Sequence, residues 1–146
     1  MRSAEVAIFV TRRGRREVLL VHRSPSLGSY WHTIAGGVED GEAPEQTAVR
    51  ELREETTLDG VDLSPPGTTV EYAYAVSEEP ADRRDRYAPG LVAVNVHCFI
   101  VDAPDEWEPT LDWEHDGYRW CAPDEALVAL RWPATADALR RLLASP

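Results

Sequence analysis

Apolar and polar positions along the chain fall into short apolar stretches early and late, with one long helical stretch between them. Residues 6–10 and 17–22 are two apolar runs parted by a polar segment holding Gly14, which predicts a two-strand hairpin. Residues 24–29 carry Pro25 and Gly28 and predict a loop. Residues 31–35 then lead into Gly36 and Gly37. Pro44 sits where the first turn of a helix tolerates proline, and residues 45–58 are strong helix formers with few breaks. On that helix Val49, Leu52 and Thr56 share one face at i, i+3 and i+7, the stripe expected to face the core. Beyond it, residues 68–76 are β-rich. Residues 77–90 predict a long polar loop with Pro80, Pro89 and Gly90. Residues 91–101, which include Asn95 and His97, predict a central strand. After another loop at 103–114, a short strand is expected at 117–121. Two terminal helices follow, at 123–130 and 134–143. Strands outnumber helices, and neither a repeat nor a linker is evident. The expectation is one domain over 1–146 of the α/β class, a mixed sandwich.

Composition narrows the function. At 146 residues, 43% of them apolar, the chain can bury a core without disulfides or a structural metal. Its net charge of −11 argues against a nucleic-acid partner, since a phosphate backbone needs a basic surface. Every basic residue is arginine, which excludes a Schiff-base lysine and a P-loop lysine. Cys98 and Cys121 lie among apolar residues and read as two buried reduced thiols. The N-terminus lacks a basic flank followed by an apolar core, and no apolar run approaches the roughly 20 residues of a membrane span. A cytoplasmic protein without a membrane partner is expected.

The informative stretch is residues 36–58, GGVEDGEAPEQTAVRELREETTL, a glycine-rich loop feeding an acidic helix. Helical geometry gathers Glu51, Glu54 and Glu55, at i, i+3 and i+4, on one face about 5–6 Å apart at Cβ. Such like charges repel unless a cation lies between them. Mg²⁺ and Mn²⁺ are hard ions that take oxygen ligands from a few carboxylates and from substrate phosphates. Taken alone, the three carboxylates also fit a solvated acidic helix face.

The full spacing resembles the signature of the Nudix hydrolases: Gly36, Glu42, Arg50, Glu51, Leu52, Glu54, Glu55 and Leu58 stand at its fixed positions. Thr57 departs from it, standing where the family usually has glycine. The resemblance implies a Nudix-type α/β/α sandwich with a mixed β-sheet. It also implies a hydrolase that binds Mg²⁺ or Mn²⁺ against a diphosphate and activates water for attack on phosphorus. By position it makes Glu51 and Glu55 metal ligands, and Glu54 a further ligand or water-orienting carboxylate. Arg50 becomes a structural partner of Glu42. Gly36 and Gly37 let the backbone lie tightly against the helix.

Shorter segments are similar to bacterial dihydroneopterin triphosphate pyrophosphohydrolases: residues 86–90 (RYAPG), residues 114–120 (EHDGYRW), Tyr30-Trp31 and residues 69–72 (TVEY). This resemblance implies that Glu114 is a further metal ligand and that His115 contacts substrate. Arg23 could clamp phosphate. Trp31 and Tyr72 could stack on a heterocycle, with Glu71 reading its edge. The expected partner is therefore a small nucleoside-polyphosphate-like molecule, with the protein a monomer or homodimer. Dihydroneopterin triphosphate, a (d)NTP or a dinucleoside polyphosphate all fit the same chemistry. A non-catalytic nucleotide-binding module is a further reading, disfavoured because such modules tend to lose the box glutamates.

Overall fold

The structure is a computed structural model that describes residues 1–63 and 69–145. Seven strands form one mixed sheet among the described residues. Strand β1 (Ala4–Arg12) is its spine, flanked along its whole length by the parallel strand β6 (Ala93–Asp102), from Ala4 opposite Asn95 to Thr11 opposite Asp102. Strand β1 from Val6 to Val10 and β6 from Cys98 to Val101 are continuous buried apolar runs, as expected where a strand is covered on two faces. Strand β5 (Val70–Ala75) closes this side, antiparallel to β6.

The other edge of β1 is forked. Its far end, Thr11 and Arg12, pairs with β2 (Glu17–Arg23) across the expected hairpin, after which the two strands diverge. The segment 31–37 is wedged into the fork. Strand β3 (Trp31–His32) pairs with β2, and β4 (Ile34–Gly37) pairs with Glu5–Ile8 of β1. Strand β7 (His115–Cys121) covers the opposite edge of β2, with a register shift between His22 and Arg23 that sets Arg23 opposite His115. A bulge of this kind re-aims side chains at a strand's end.

Alternation along β1 divides the core. Ala7 and Phe9 join Val96, Cys98 and Val70 beneath the two terminal helices, α2 (Pro123–Ala129) and α3 (Pro133–Leu143). Val6, Ile8 and Val10 join Leu19, Val21 and Ile34 beneath the central helix, α1 (Pro44–Thr56). The sheet is thus covered by helices on both faces. Cys98 and Cys121 are buried and free, as expected.

Helix α1 begins with Pro44 in its first turn, and the Gln46 side chain accepts the Ala43 N–H at 2.8 Å, tying off the N-terminus. Its buried face is Thr47, Ala48, Leu52, Glu55 and Thr56, whereas Val49 is 38% exposed. The expected stripe is therefore rotated by one position. An apolar count passes over Glu55, a carboxylate in the core-facing row, and selects Val49 in place of Ala48. The helix ends at Thr57, which adopts the left-handed conformation (φ 66°) usual for glycine and donates its N–H to Arg53 O at 3.0 Å. The cap geometry survives the loss of glycine, at the cost of placing a β-branched residue in a disfavoured region.

Other boundaries shift modestly. The strand expected at 68–76 is observed at Val70–Ala75, and Thr68 lies outside the described residues. The stretch 77–90 is not an open loop. Two 3₁₀ segments, Val76–Glu78 and Ala81–Arg86, fold it back on the N-terminus, where Arg2 N–H donates to Arg86 O at 2.9 Å and Ala88 N–H to Arg2 O at 2.8 Å. None of the described helices is long and apolar enough to cross a membrane.

Candidate active site

The fork brings Gly36 and Gly37 to the flank of α1. A Cβ on Gly36 would lie 2.2 Å from the Glu51 carboxylate, so only glycine lets that side chain rest against β4. A Cβ on Gly37 would lie 2.3 Å from the Arg2 side chain, which occupies the other side. The loop after β4 is clamped by Arg50. Its Nε and Nη2 donate to the two oxygens of Glu42 at 2.7 and 3.0 Å, the bidentate pairing expected of these two residues. Nη2 also donates to Gly37 O at 3.1 Å, and Nη1 to Glu51 Oε1 at 2.8 Å. Glu42 further accepts from Thr47 Oγ1 and from the Glu39 N–H. The Arg50 guanidinium foremost, with these donors, holds the Glu42 carboxyl down at about 2. One arginine thus fixes the loop, the helix and the rotamer of Glu51.

The carboxylates of α1 sit in unlike surroundings. Glu54 is 55% exposed and touches Arg50 at 3.4 Å. Glu51 is largely enclosed, and burial raises its carboxyl to about 6 against the pull of Arg50. Glu55 is 1% exposed, and neither of its oxygens has a hydrogen-bond partner among the described residues. Burial first, then the charges of Glu51, Glu114 and Asp112, push its carboxyl well above the usual range.

Opposite Glu55 lies the start of β7. The ligand atoms of Glu55, Glu114 and His115 all fall within 4.8 Å of one another. His115 Nδ1 lies 3.2 Å from Asp112 Oδ1, which assigns the ring proton to Nδ1 and leaves an Nε2 lone pair 3.8 Å from Glu55 Oε1. That gap is too long for a hydrogen bond and suits donors facing a common cation. Arg23 Nη1 donates to Glu114 Oε2 at 3.2 Å, and Arg23 Nε is buried without a partner among the described residues. A cleft of about 490 Å³ opens beside Glu51, with Arg2, Gly37, Val38 and Arg86 in its walls.

The residues expected to hold the heterocycle are dispersed. Glu71 lies on the α1 face of the sheet, 2.8 Å from His97 Nδ1. Tyr72 points to the opposite face, where its hydroxyl meets Thr135 Oγ1 at 3.2 Å and its ring packs with the α2–α3 core. Trp31 shares that second face, with the Arg119 guanidinium over its ring at 4.8 Å and the edge of His22 at 5.0 Å. A single flat slot lined by both Glu71 and Tyr72 is therefore not present. Three neighbours of the site escaped the sequence reading: Asp112 behind His115, Arg2 beside Gly37, and His32. The His32 ring is driven down to about 3 by burial foremost, then by Arg23 and His115. Asp112 alone left a trace in the sequence, three residues before His115.

A glycine-lined loop, an arginine-clamped acidic helix and a buried carboxylate facing a histidine define a Nudix hydrolase, and the chain belongs to the NUDIX domain family, which matches residues 1–142. Among curated proteins it is 30% identical over 136 residues to the dihydroneopterin triphosphate diphosphatase of Escherichia coli, covering 90% of this chain and 86% of that protein. It is also 33% identical over 144 residues to a Myxococcus xanthus octanoyltransferase; the match covers 99% of this chain but 37% of that protein, so that protein's activity does not carry over. The solved structure of the E. coli dihydroneopterin triphosphate pyrophosphohydrolase superimposes with a TM-score of 0.78 at 25% identity, covering 99% of this chain and 97% of that one.

Proposed function

We propose that this chain is a divalent-metal-dependent pyrophosphohydrolase that cleaves a phosphoanhydride bond of a nucleoside-triphosphate-like molecule, with dihydroneopterin triphosphate as the foremost substrate. The observation that carries the metal site is Glu55, whose two buried oxygens face Glu114 and the free Nε2 of His115 without any donor of their own. Glu51, Glu55 and Glu114 would hold Mg²⁺ or Mn²⁺, with His115 at its margin. When bound, such a cation neutralises phosphate oxygens and makes a water more acidic.

The chain's own residues do the rest. Arg50 keeps Glu51 in one rotamer and keeps the loop closed over it. Glu54, more exposed, is free to orient a water at the mouth of the site. Arg23 presents guanidinium N–H groups to phosphate beside Glu114, and Arg2 and Arg86 stand with Glu39, Asp40 and Glu51 in the walls of the cleft. For the ring, Glu71 shares the face of α1, whereas Trp31 and Tyr72 serve the other face, so the edge rather than the stacking surface of the heterocycle is read from the α1 side. The similarity to the E. coli dihydroneopterin triphosphate diphosphatase supports the choice of substrate. A cytoplasmic monomer or homodimer fits this role.

The test is a substrate panel of dihydroneopterin triphosphate, dATP and a dinucleoside tetraphosphate, with Mg²⁺ and with excess chelator, scoring pyrophosphate against orthophosphate. Release of pyrophosphate, highest kcat/KM for the pterin and silence in chelator are expected. Full activity in chelator would overturn the mechanism. A wild-type enzyme that ignores the pterin but turns over dATP would move the substrate to the (d)NTP class.

A further inference from the structure

Six enclosed side-chain atoms have no hydrogen-bond partner among the described residues: Arg23 Nε, His32 Nδ1, both oxygens of Glu55, Arg86 Nε and His115 Nε2. All but Arg86 Nε converge on the α1 face of the sheet at the open end of the fork. Arg23 stands opposite His115 in register, its backbone N–H donates to Tyr30 O at 2.8 Å, and His32 pairs with Val21 two residues back on the same face. Buried polar groups are ordinarily paired, so such a concentration points to a missing ligand.

These atoms sort by chemistry. The Glu55 oxygens and His115 Nε2, with Asp112 on its other nitrogen, are acceptors and suit a cation. Arg23 Nε is a donor. His32 Nδ1 is also enclosed and unpaired, on a ring whose basicity burial, Arg23 and His115 all depress. A neutral His32 ring carrying its proton on Nδ1 is a second donor, able with Arg23 Nε–H to serve one anionic oxygen. Unpaired acceptors and unpaired donors enclosed in one region suit a cation together with its phosphate.

We propose that His32 is a substrate-binding residue, its Nδ1–H donating, alongside Arg23 Nε–H, to a non-bridging oxygen of the substrate's polyphosphate next to the carboxylate site. This rests on the phosphoanhydride reading above and adds to it a residue that the signature does not contain.

Three variants separate the two ring nitrogens. An asparagine amide nitrogen falls near Nδ1, and a glutamine amide nitrogen near Nε2. Affinity for inorganic pyrophosphate with Mg²⁺ is measured by calorimetry, and KM and kcat are measured on the best substrate of the panel. A hydrogen bond to a charged phosphate is worth roughly tenfold or more in affinity. His32→Ala and His32→Gln should weaken pyrophosphate binding and raise KM about tenfold, with kcat changing less. His32→Asn should stay within about threefold of wild type. In ¹⁵N spectra of the wild type, added pyrophosphate should shift the His32 Nδ1 signal and keep it protonated. Equal loss in the Asn and Gln variants, or pyrophosphate binding by the Ala variant at wild-type strength, would overturn the assignment. A wild type that binds pyrophosphate through His32 yet hydrolyses nothing would overturn the enzymatic reading and leave the ligand assignment standing.

Discussion

Glu55 is a residue that folding alone does not explain. Its carboxylate is shut away from water beside other acidic groups, with no donor to either oxygen, an arrangement that costs several kcal/mol unless a cation or a proton relieves it. Glu55→Gln keeps the volume and removes the charge. In chelator this variant should melt above wild type by a few degrees, read by differential scanning fluorimetry, because the repulsion with Glu51 and Glu114 is gone. With metal restored it should lose roughly 10²-fold or more in kcat. Near wild-type turnover would remove Glu55 from the metal site. Gly36 makes the complementary point: any side chain there meets the Glu51 carboxylate at 2.2 Å, so the residue serves the helix it touches more than its own strand.

At the scale of elements, the loop and helix between β4 and the end of α1 form one unit closed by Arg50 and Glu42. The pair fixes stability to pH in a definite direction. The Glu42 carboxyl is held at about 2 in the folded protein, below its ordinary 4.5, chiefly by Arg50. Its contribution is therefore fully present above about pH 4.5 and is lost as pH falls toward 2. The difference in Tm between wild type and Glu42→Gln should be largest near pH 6, shrink below about 4.5 and vanish near 2. A difference that stays constant across this range would show that the ion pair adds nothing beyond the shape of the side chain.

The whole molecule couples these parts through the fork in the sheet. Strands β2 and β7 bring Arg23, Glu114 and His115 to one side, β1 and β4 bring Gly36 to the other, and α1 spans the gap with Glu51 and Glu55. A cation there joins both arms, so it binds the folded chain and not the unfolded one. Its stabilisation should follow RT ln(1 + [L]/Kd), on the order of 2.7 kcal/mol at a hundredfold excess over Kd. Titration with Mg²⁺ or Mn²⁺ should raise Tm progressively, and the rise should be much smaller in Glu55→Gln. An unchanged Tm from chelator to millimolar metal would contradict a site that spans the two arms.

The amino-acid sequence by itself determined what depends on near neighbours. The spacing of Glu51, Glu54 and Glu55 follows from 3.6 residues per turn and the β1–β2 hairpin from its turn residues, whereas the pairing of Arg50 with Glu42 was implied by the family resemblance. The expectation that Glu71 and Tyr72 serve one ring overlooked the same local rule, since strand neighbours alternate sides. Tertiary structure alone decided the rest. Which row of α1 turns inward, Ala48 and Glu55 in preference to Val49, depends on where β4 and β1 press against it. Arg23 meets Glu114 across 91 residues only because β7 lies beside β2 with a bulge in its register. His32 joins the site because the fork wedges its strand inward. Local spacing can set the order of groups along one element, but the burial that changes their chemistry comes from distant strands packing together.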